Sequence, residues 1–260
     1  MQRSKLINYL DEYLQAKDFA YDPSVNGLQI EGFDEVEVVA TSADVSLDSI
    51  DAACELGADT LIVHHGLLWQ GDDRSITGTF KDRVNAALEA NLNLIAYHLP
   101  LDAHPKIGNN AFLCSLLGDG CSDYIVKGDK SSIAMRKVLN KPKSVGEICA
   151  LLCKKLDCRV GIVGNVSEDF LLNDFAVCSG SGGSVIDKCR SPSFDALITG
   201  EINEQTYNAA IESGTVVFIV GHHASEQDGV RLLGENLAKR FNLTHHHLHF
   251  AYEKNIAWFE

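Results

Sequence analysis

The sequence predicts an α/β protein made of two similar lobes, and three observations support this prediction. Short apolar segments typical of buried strands alternate with amphipathic segments typical of helices, as in βαβ units around a largely parallel sheet. One such unit occurs twice along the chain. Histidines and carboxylates follow the apolar strands in both copies, which predicts a dinuclear metal site between the two lobes.

The composition is that of an ordinary globular protein, with 45% hydrophobic and 22% charged residues among 260. A net charge of −14 argues against nucleic acid as a main partner, because phosphate binding depends on concentrated Lys and Arg. No segment approaches the ~20 consecutive apolar residues that a membrane span requires, so no membrane partner is expected. The eight cysteines form no CxxC pair and no regular framework. We therefore expect reduced thiols and a cytoplasmic protein.

Two helices are predicted from local signals outside the repeated unit. Residues 1–19 alternate apolar and charged positions at helical spacing and lack the apolar core of a signal peptide, so they are expected to form the first helix. A second helix is predicted to begin with a capping box made by Ser144 and Glu147. Cys149 and Cys153 share its apolar stripe, which favours packing in the core over metal binding.

The repeat places chemically similar residues at equivalent positions. Residues 36–66 read as a strand, a helix and a second strand, and residues 173–201 follow the same order. Residues 85–102 then match residues 208–226, and each segment is a helix, a buried strand, a histidine and a carboxylate four residues later. The predicted lobes cover residues 1–121 and 122–260, with an exchange of terminal elements between them left open.

Six of the ten histidines lie in the motifs HHG, YHLPLDAH and GHHASE. A lone histidine after a strand is usually a hydrogen-bonded core or surface residue. Clustered imidazoles and carboxylates at equivalent strand ends favour divalent metals instead, with Zn, Fe, Mn, Co and Ni all open. We expect two ions per subunit, because adjacent imidazoles at a turning strand end can reach different metals and a carboxylate can bridge them. The predicted ligands are His64, His65, Asp102, His222 and Glu226.

Other motifs have a structural and a functional interpretation. His104 and His223 are weaker candidates, and we expect them to contact the ligand side chains rather than the metal ions. The alternation in THHHLHFAYE, residues 244–253, favours a strand over a metal-binding tract. SGSGGS, residues 179–184, is expected to be a tight turn rather than a phosphate-binding loop, because it lacks the established spacings. The basic excess in residues 122–160 favours a solvated face over an anion site such as one for a nucleotide phosphate.

Six long motifs resemble the Nif-three-like family, whose bacterial members are commonly labelled GTP cyclohydrolase 1 type 2 homologues. They are VNGLQIEG, SADVS, VHHGLLWQG, YHLPLDAHPKIGNN, ITGEINEQT and GHHASEQDG, and they extend nearly from end to end. The resemblance implies a dinuclear metal centre held by the same five ligands. It also implies two α/β lobes per subunit and a homohexameric ring whose metal sites face an internal cavity.

Two hypotheses for function follow. The first is a metal-dependent hydrolase, in which the two ions hold a substrate oxygen and lower the pKa of a bound water. His98 and Glu201 lie at strand ends and are predicted to shuttle protons. The resemblance implies a purine nucleotide such as GTP as the small-molecule substrate. The second is a non-catalytic metal-binding scaffold or interaction protein. Structural zinc sites are usually closed and rich in cysteine, whereas the predicted ligands include no cysteine, which modestly favours the hydrolase.

Overall fold

The computed structural model describes residues 1–125, 133–187 and 193–250. Within these residues the chain forms eleven strands, nine α-helices and a short 3₁₀ helix at Ala16–Phe19. The strands are β1 (Gly27–Ile30), β2 (Val38–Asp44), β3 (Thr60–His65), β4 (Asn93–Ala96), β5 (Gly120–Tyr124), β6 (Met135–Ser144), β7 (Gly161–Val163), β8 (Leu171–Cys178), β9 (Ala196–Thr199), β10 (Val216–Ile219) and β11 (Thr244–His247). The helices are α1 (Arg3–Tyr13), α2 (Leu47–Glu55), α3 (Gly78–Glu89), α4 (Leu99–Asp102), α5 (Asn109–Leu116), α6 (Val145–Leu156), α7 (Ser184–Asp187), α8 (Glu204–Ser213) and α9 (His222–Phe241).

The chain divides into two compact units, and each is built from separate segments of sequence. The first unit contains Met1–Leu10, Pro23–Tyr97 and the chain from Leu233 onward, and the second contains Asp11–Asp22 and His98–Leu232. The sequence analysis placed a single boundary between residues 121 and 122. The compact units change after Leu10, Asp22, Tyr97 and Leu232, because the residues that follow β4 belong to the second unit and the end of the chain adds β11 to the first sheet.

The first unit is organised around a five-stranded sheet with the order β1-β4-β3-β2-β11. β11, β2, β3 and β4 are parallel, and β1 pairs antiparallel with β4 at one edge. The apolar side chains of α2 and α3 pack against β3 and β4, with Ile50, Ala53, Ala87, Leu61 and Leu94 in one buried cluster. This packing brings the carboxyl ends of β2, β3 and β4 to one edge of the sheet.

The second unit is organised around a six-stranded sheet with the order β5-β6-β8-β9-β10-β7. β8, β9 and β10 are parallel, whereas β5, β6 and β7 join by antiparallel pairing. Helices α5 and α6 cover a buried cluster that includes Leu113, Ile148, Leu152 and Phe175. The mixed α/β fold with two sheets is confirmed.

Both sheets contain the same sequence of elements in the same arrangement. β2-α2-β3-α3-β4 and β8-α7-β9-α8-β10 each form three neighbouring parallel strands, with an antiparallel strand beside the third. A helix follows the third strand in each case, α4 after β4 and α9 after β10. The predicted candidate ligands lie at the end of β3, at the end of α4 and in the first turns of α9. Lys188 and Cys189, which the sequence analysis placed in the helix after β8, lie outside the described residues.

Several local predictions are confirmed. The first helix forms over Arg3–Tyr13. The capping box at the start of α6 is complete, because Glu147 N donates to Ser144 Oγ at 3.2 Å and Ser144 N donates to Glu147 Oε2 at 2.7 Å. Cys149 packs against the apolar cluster under α6, as expected. Among the described residues, no helix combines the length and the apolar character needed to cross a bilayer.

The basic segment is only partly the solvated face that the sequence predicts. Lys141, Lys154, Lys155 and Arg159 are exposed. Lys137 differs, because it is 4% exposed and occupies a core position on β6. Its neighbours in the sequence prediction, Lys127 and Lys130, lie outside the described residues, as do residues 251–253 of the predicted tail strand.

Candidate metal centre

His64 and His65 end the central strand of the first sheet. β3 is apolar up to these residues, and His64 is completely buried. His64 Nδ1 lies 3.1 Å from the backbone oxygen of Tyr97. A carbonyl oxygen only accepts hydrogen bonds, so Nδ1 carries the proton and Nε2 carries the lone pair. The His64 ring is therefore fixed in the tautomer that ligates a metal through Nε2.

His65 is held in the same way by a carboxylate. Its Nδ1 lies 2.8 Å from Oδ1 of Asp44, which ends β2 and pairs in register with His65. The centroids of the two adjacent imidazole rings are 4.6 Å apart. Carboxylate–histidine pairs of this kind orient metal ligands and raise their basicity. The sequence analysis did not predict the role of Asp44, although its place at the end of the strand beside β3 was a usable signal.

In the second unit, His98 stands immediately before the single turn of α4. Its Nδ1 lies 2.8 Å from Oδ1 of Asp22, whose side chain is 1% exposed. The other oxygen of Asp22 accepts a hydrogen bond from Leu99 N at 2.9 Å, which ties the carboxylate to the start of the helix. Asp22 is far from His98 in sequence, and no motif connects them. Sequence reasoning therefore missed this contact.

Asp102 ends α4 as a buried carboxylate with a defined orientation. It is 3% exposed, and its Oδ1 accepts hydrogen bonds from Asn109 Nδ2 at 2.8 Å and from Ser179 Oγ at 3.1 Å. Asn109 is itself fixed, because its Oδ1 accepts from Gly229 N at 2.9 Å. Asn110 completes the arrangement by accepting from Ser179 N at 2.7 Å. The GNN sequence after the YHLPLDAH motif thus holds Asp102 in place.

His222 and Glu226 occupy the first turns of α9, where a spacing of four residues brings them together. His222 Nε2 lies 3.0 Å from Glu226 Oε2, and its Nδ1 lies 3.3 Å from Glu201 Oε1. The hydrogen bond to Glu226 outweighs burial and raises the pKa of His222 to about 9. A hydrogen bond from Ser181 Oγ lowers the pKa of Glu201, with a further contribution from His222. Two carboxylates therefore favour a positive charge at this position, carried by a proton or by a metal ion.

The glycine-rich turn after β8 contacts this pair directly. Gly180 has a φ of 58°, a conformation that favours glycine. A Cβ at this position would overlap Glu226 Oε1 and lie 3.1 Å from His222 Nε2. The absence of a side chain at Gly180 thus creates the space in which the Glu226 carboxylate lies.

Three further histidines have structural contacts. His104 is 9% exposed, and burial lowers its pKa to about 4, with a smaller contribution from Lys106. Its Nδ1 accepts hydrogen bonds from backbone nitrogens, including Ile107 N at 3.2 Å, so that atom is engaged. His245 and His247 both contact Thr41 Oγ1, at 2.9 and 3.0 Å, from the parallel strand β11. The preference for a strand over a metal-binding tract is confirmed for Thr244–His247.

Taken over the described residues, His, Asp and Glu side chains form groups that could hold a metal ion. These groups include all five predicted ligands and also His98, for which sequence analysis predicted proton transfer. The residues suit a divalent metal, because they offer imidazole nitrogen and carboxylate oxygen and their rings are oriented through Nδ1. The residues of these groups are His64, His65, His98, Asp102, His222 and Glu226.

A family model described as Duf34/NIF3 (NGG1p interacting factor 3) matches residues 1–255 of the chain. The chain belongs to the NIF3 family. This confirms the resemblance drawn from the motifs. Curated relatives of this NIF3 chain include a "GTP cyclohydrolase 1 type 2 homolog" of Deinococcus radiodurans, 37% identical over 250 residues that cover 95% of this chain and 93% of that protein. A protein of the same name from Escherichia coli strain K12 is 35% identical, covering 94% of this chain and 96% of the relative.

Solved structures also match the NIF3 chain over its length. One is described as "protein ybgI, unknown function"; it is 34% identical, with a TM-score of 0.88 over 95% of this chain and 98% of the other. Another is TTHA1606 from Thermus thermophilus, which is 32% identical, with a TM-score of 0.87 over 96% and 98% of the two chains. These descriptions state no reaction.

Proposed function

We propose that this NIF3-family protein binds two divalent metal ions and hydrolyses a nucleotide-like small molecule. The five proposed metal ligands are His64, His65, Asp102, His222 and Glu226. The main support is the way the imidazoles are oriented: His64 through a carbonyl, and His65 and His222 through the carboxylates of Asp44 and Glu201. Hydrogen bonding at Nδ1 is the usual support of a metal-ligating histidine, because it fixes the ring orientation and the tautomer.

Divalent ions, when bound, would polarise a substrate oxygen and lower the pKa of a water molecule. The protein itself would supply rigid ligands and sites for protons. Asp102 would be a ligand of fixed orientation, because Asn109 and Ser179 both donate hydrogen bonds to its Oδ1. The ligand set contains no cysteine, which is typical of catalytic rather than closed structural zinc sites.

We assign proton transfer to Glu201 and His98. Glu201 is partly exposed and its pKa is lowered, mainly by the hydrogen bond from Ser181, so it is a carboxylate at neutral pH and can accept a proton. His98 is held in a fixed orientation by Asp22, whose Oδ1 lies 2.8 Å from His98 Nδ1. Both residues would therefore transfer protons during hydrolysis.

The nucleotide-like substrate rests on the name of the relatives, "GTP cyclohydrolase 1 type 2 homolog". From the family resemblance we also propose a cytoplasmic homohexameric ring with the metal sites facing its cavity. The matching β-α-β-α-β arrangements of the two sheets support an origin of the fold by internal duplication. The duplication accounts for the equivalent positions of His98 with Asp102 and His222 with Glu226.

The proposal is tested by loading chelator-treated protein with Mn²⁺, Fe²⁺ or Zn²⁺ and assaying nucleotides, GTP among them, for hydrolysis. We expect turnover that requires metal and falls at least a hundredfold in His64→Ala. His246→Ala is the matched control, because His246 lies on β11 and belongs to none of the metal-binding groups of the described residues.

The alternative function has a distinct signature in the same experiment. Stoichiometric metal binding without turnover across a broad panel of nucleotides and phosphoesters would replace the hydrolase with a metal-binding scaffold. Turnover that persists unchanged in His64→Ala would contradict the assignment of the site.

A further inference from the structure

Lys137 is a buried cation inside the second unit, in none of the candidate metal-binding groups. It lies on β6 between Met135 and Leu139, which share its face of the strand and belong to the apolar cluster under α5 and α6. Lys137 is 4% exposed. Lysine is almost never buried to this extent unless its ammonium is paired, because removing the charge from water is costly.

The described residues supply little to offset that cost. The ammonium makes one long hydrogen bond, from Nζ to Gly120 O at 3.5 Å, and no described carboxylate lies within ion-pair distance of it. The neighbouring thiol of Cys114 does not compensate, because burial raises its pKa to about 12 and keeps it neutral. An ammonium in this setting favours an anion that brings both charge and acceptor atoms.

The ammonium borders a pocket that can receive such an anion. The pocket has a volume of about 420 Å³, and Lys137 lines it together with Ser115, Ser122, Gly118 and Gly120. This is more than ten times the ~30 Å³ that a water molecule occupies in the liquid. The glycines contribute backbone without side chains, and the Ser122 hydroxyl can donate a hydrogen bond to an oxygen atom. The hydroxyl of Ser115 already donates to Phe112 O at 2.6 Å.

A second lysine of β6 reaches the same turn. Lys143 Nζ donates to Leu117 O at 2.8 Å and lies 3.4 Å from the position that a Cβ of Gly118 would occupy. Asp119 also lines the pocket, but it is exposed, so solvent and salt screen its charge more than they screen the buried ammonium of Lys137. Lys137 and Lys143 therefore place two ammonium groups at the Gly118–Gly120 turn, beside the exposed carboxylate of Asp119.

We propose that the pocket bounded by Lys137 and the Gly118–Gly120 turn binds a small oxyanion, such as a phosphate group. Lys137 would supply the buried charge, and Ser122 would donate a further hydrogen bond. This site is separate from the candidate metal ligands and does not depend on the proposed hydrolysis.

The test is calorimetric titration of the full-length protein with inorganic phosphate in a chloride buffer of constant ionic strength. We expect saturable binding at one site, at least tenfold weaker in Lys137→Met. Lys141→Met is the matched control, because Lys141 lies on the same strand and is exposed. Lys137→Arg, which keeps the charge, is expected to retain part of the binding. The protein is treated with chelator before the titration, which separates this site from phosphate held by metal ions.

The melting temperature with and without phosphate is a second measurement, for the case in which calorimetry of Lys137→Met gives no clear result. Phosphate should raise the melting temperature of the wild type and of Lys141→Met, but not that of Lys137→Met, because only a binding-competent native state is stabilised by ligand.

A calorimetric titration with GMP identifies the source of the anion. Binding of GMP that is tighter than that of phosphate and depends equally on Lys137 indicates a nucleotide. Equal or weaker binding of GMP indicates the free ion. Wild-type protein without saturable phosphate binding, or equal binding by Lys137→Met, would overturn the proposal.

Discussion

At the scale of single residues, the hydrogen-bond partners of the imidazoles say more about the site than the imidazoles themselves. The sequence indicates His64, His65 and His222 through their clustering, and the structure adds an acceptor at Nδ1 of each. Those acceptors come from other strands or from residues distant in the chain, as with Asp22 and His98. Contacts of this kind follow from tertiary packing, so one sequence without known contacts cannot supply them.

The first prediction concerns Asp44, whose carboxylate lies 2.8 Å from Nδ1 of His65. In Asp44→Asn the side chain keeps its shape but loses its charge, so His65 Nδ1 no longer faces a carboxylate that orients the ring. We expect metal affinity to fall by about 10- to 100-fold, as is typical when such a supporting partner is lost. The measurement is metal titration of chelator-treated protein by calorimetry. Asp82→Asn, an exposed change on α3, is the control and should bind as the wild type does; unchanged affinity in Asp44→Asn would show that His65 is not a ligand.

At the scale of elements, the buried parallel strands were predictable but the segments that complete each sheet were not. Apolar runs bounded by turn residues correctly indicate β2, β3, β8, β9 and β10 because each is buried between helices. β11 joins β2 from the far end of the chain, and its alternation suggested a strand but not its partner. The burial of Lys137 was missed because a run of basic residues normally faces water, whereas β6 turns this position toward α5.

The turn after β8 gives an element-scale prediction. Gly180→Ala places a methyl group against Glu226 and also strains a backbone with positive φ. Gly214→Ala is the matched control, since Gly214 has a φ of 73° and open space where a Cβ would be. We expect the control to lose about 1 kcal/mol of unfolding free energy from backbone strain alone. Gly180→Ala should lose at least that much and also bind metal about tenfold more weakly.

Urea unfolding of metal-free protein gives the first quantity, and metal titration gives the second. If Gly180→Ala and Gly214→Ala were indistinguishable in both measurements, the contact between the glycine-rich turn and Glu226 would have no role in metal binding. A loss of stability in Gly180→Ala without any change in metal affinity would lead to the same conclusion.

At the scale of the whole molecule, family membership was predictable, because long motifs lie along nearly the whole chain. The family match covers residues 1–255, and the ligands were inferred from the clustering and repeat of histidines and carboxylates before any comparison. The division into compact units was harder to predict, because each unit contains segments from separate parts of the sequence. A repeat in the sequence shows which segments are alike, but it does not show where terminal elements pack.

The measurement that tests the central claim most directly is the metal content of purified protein, determined by elemental analysis together with Asp102→Asn and Glu226→Gln. We expect close to two divalent transition-metal ions per chain in the wild type and a clear loss in each variant, with circular dichroism showing that both variants remain folded. Wild-type protein without bound transition metal, or variants that retain the full complement, would contradict the account.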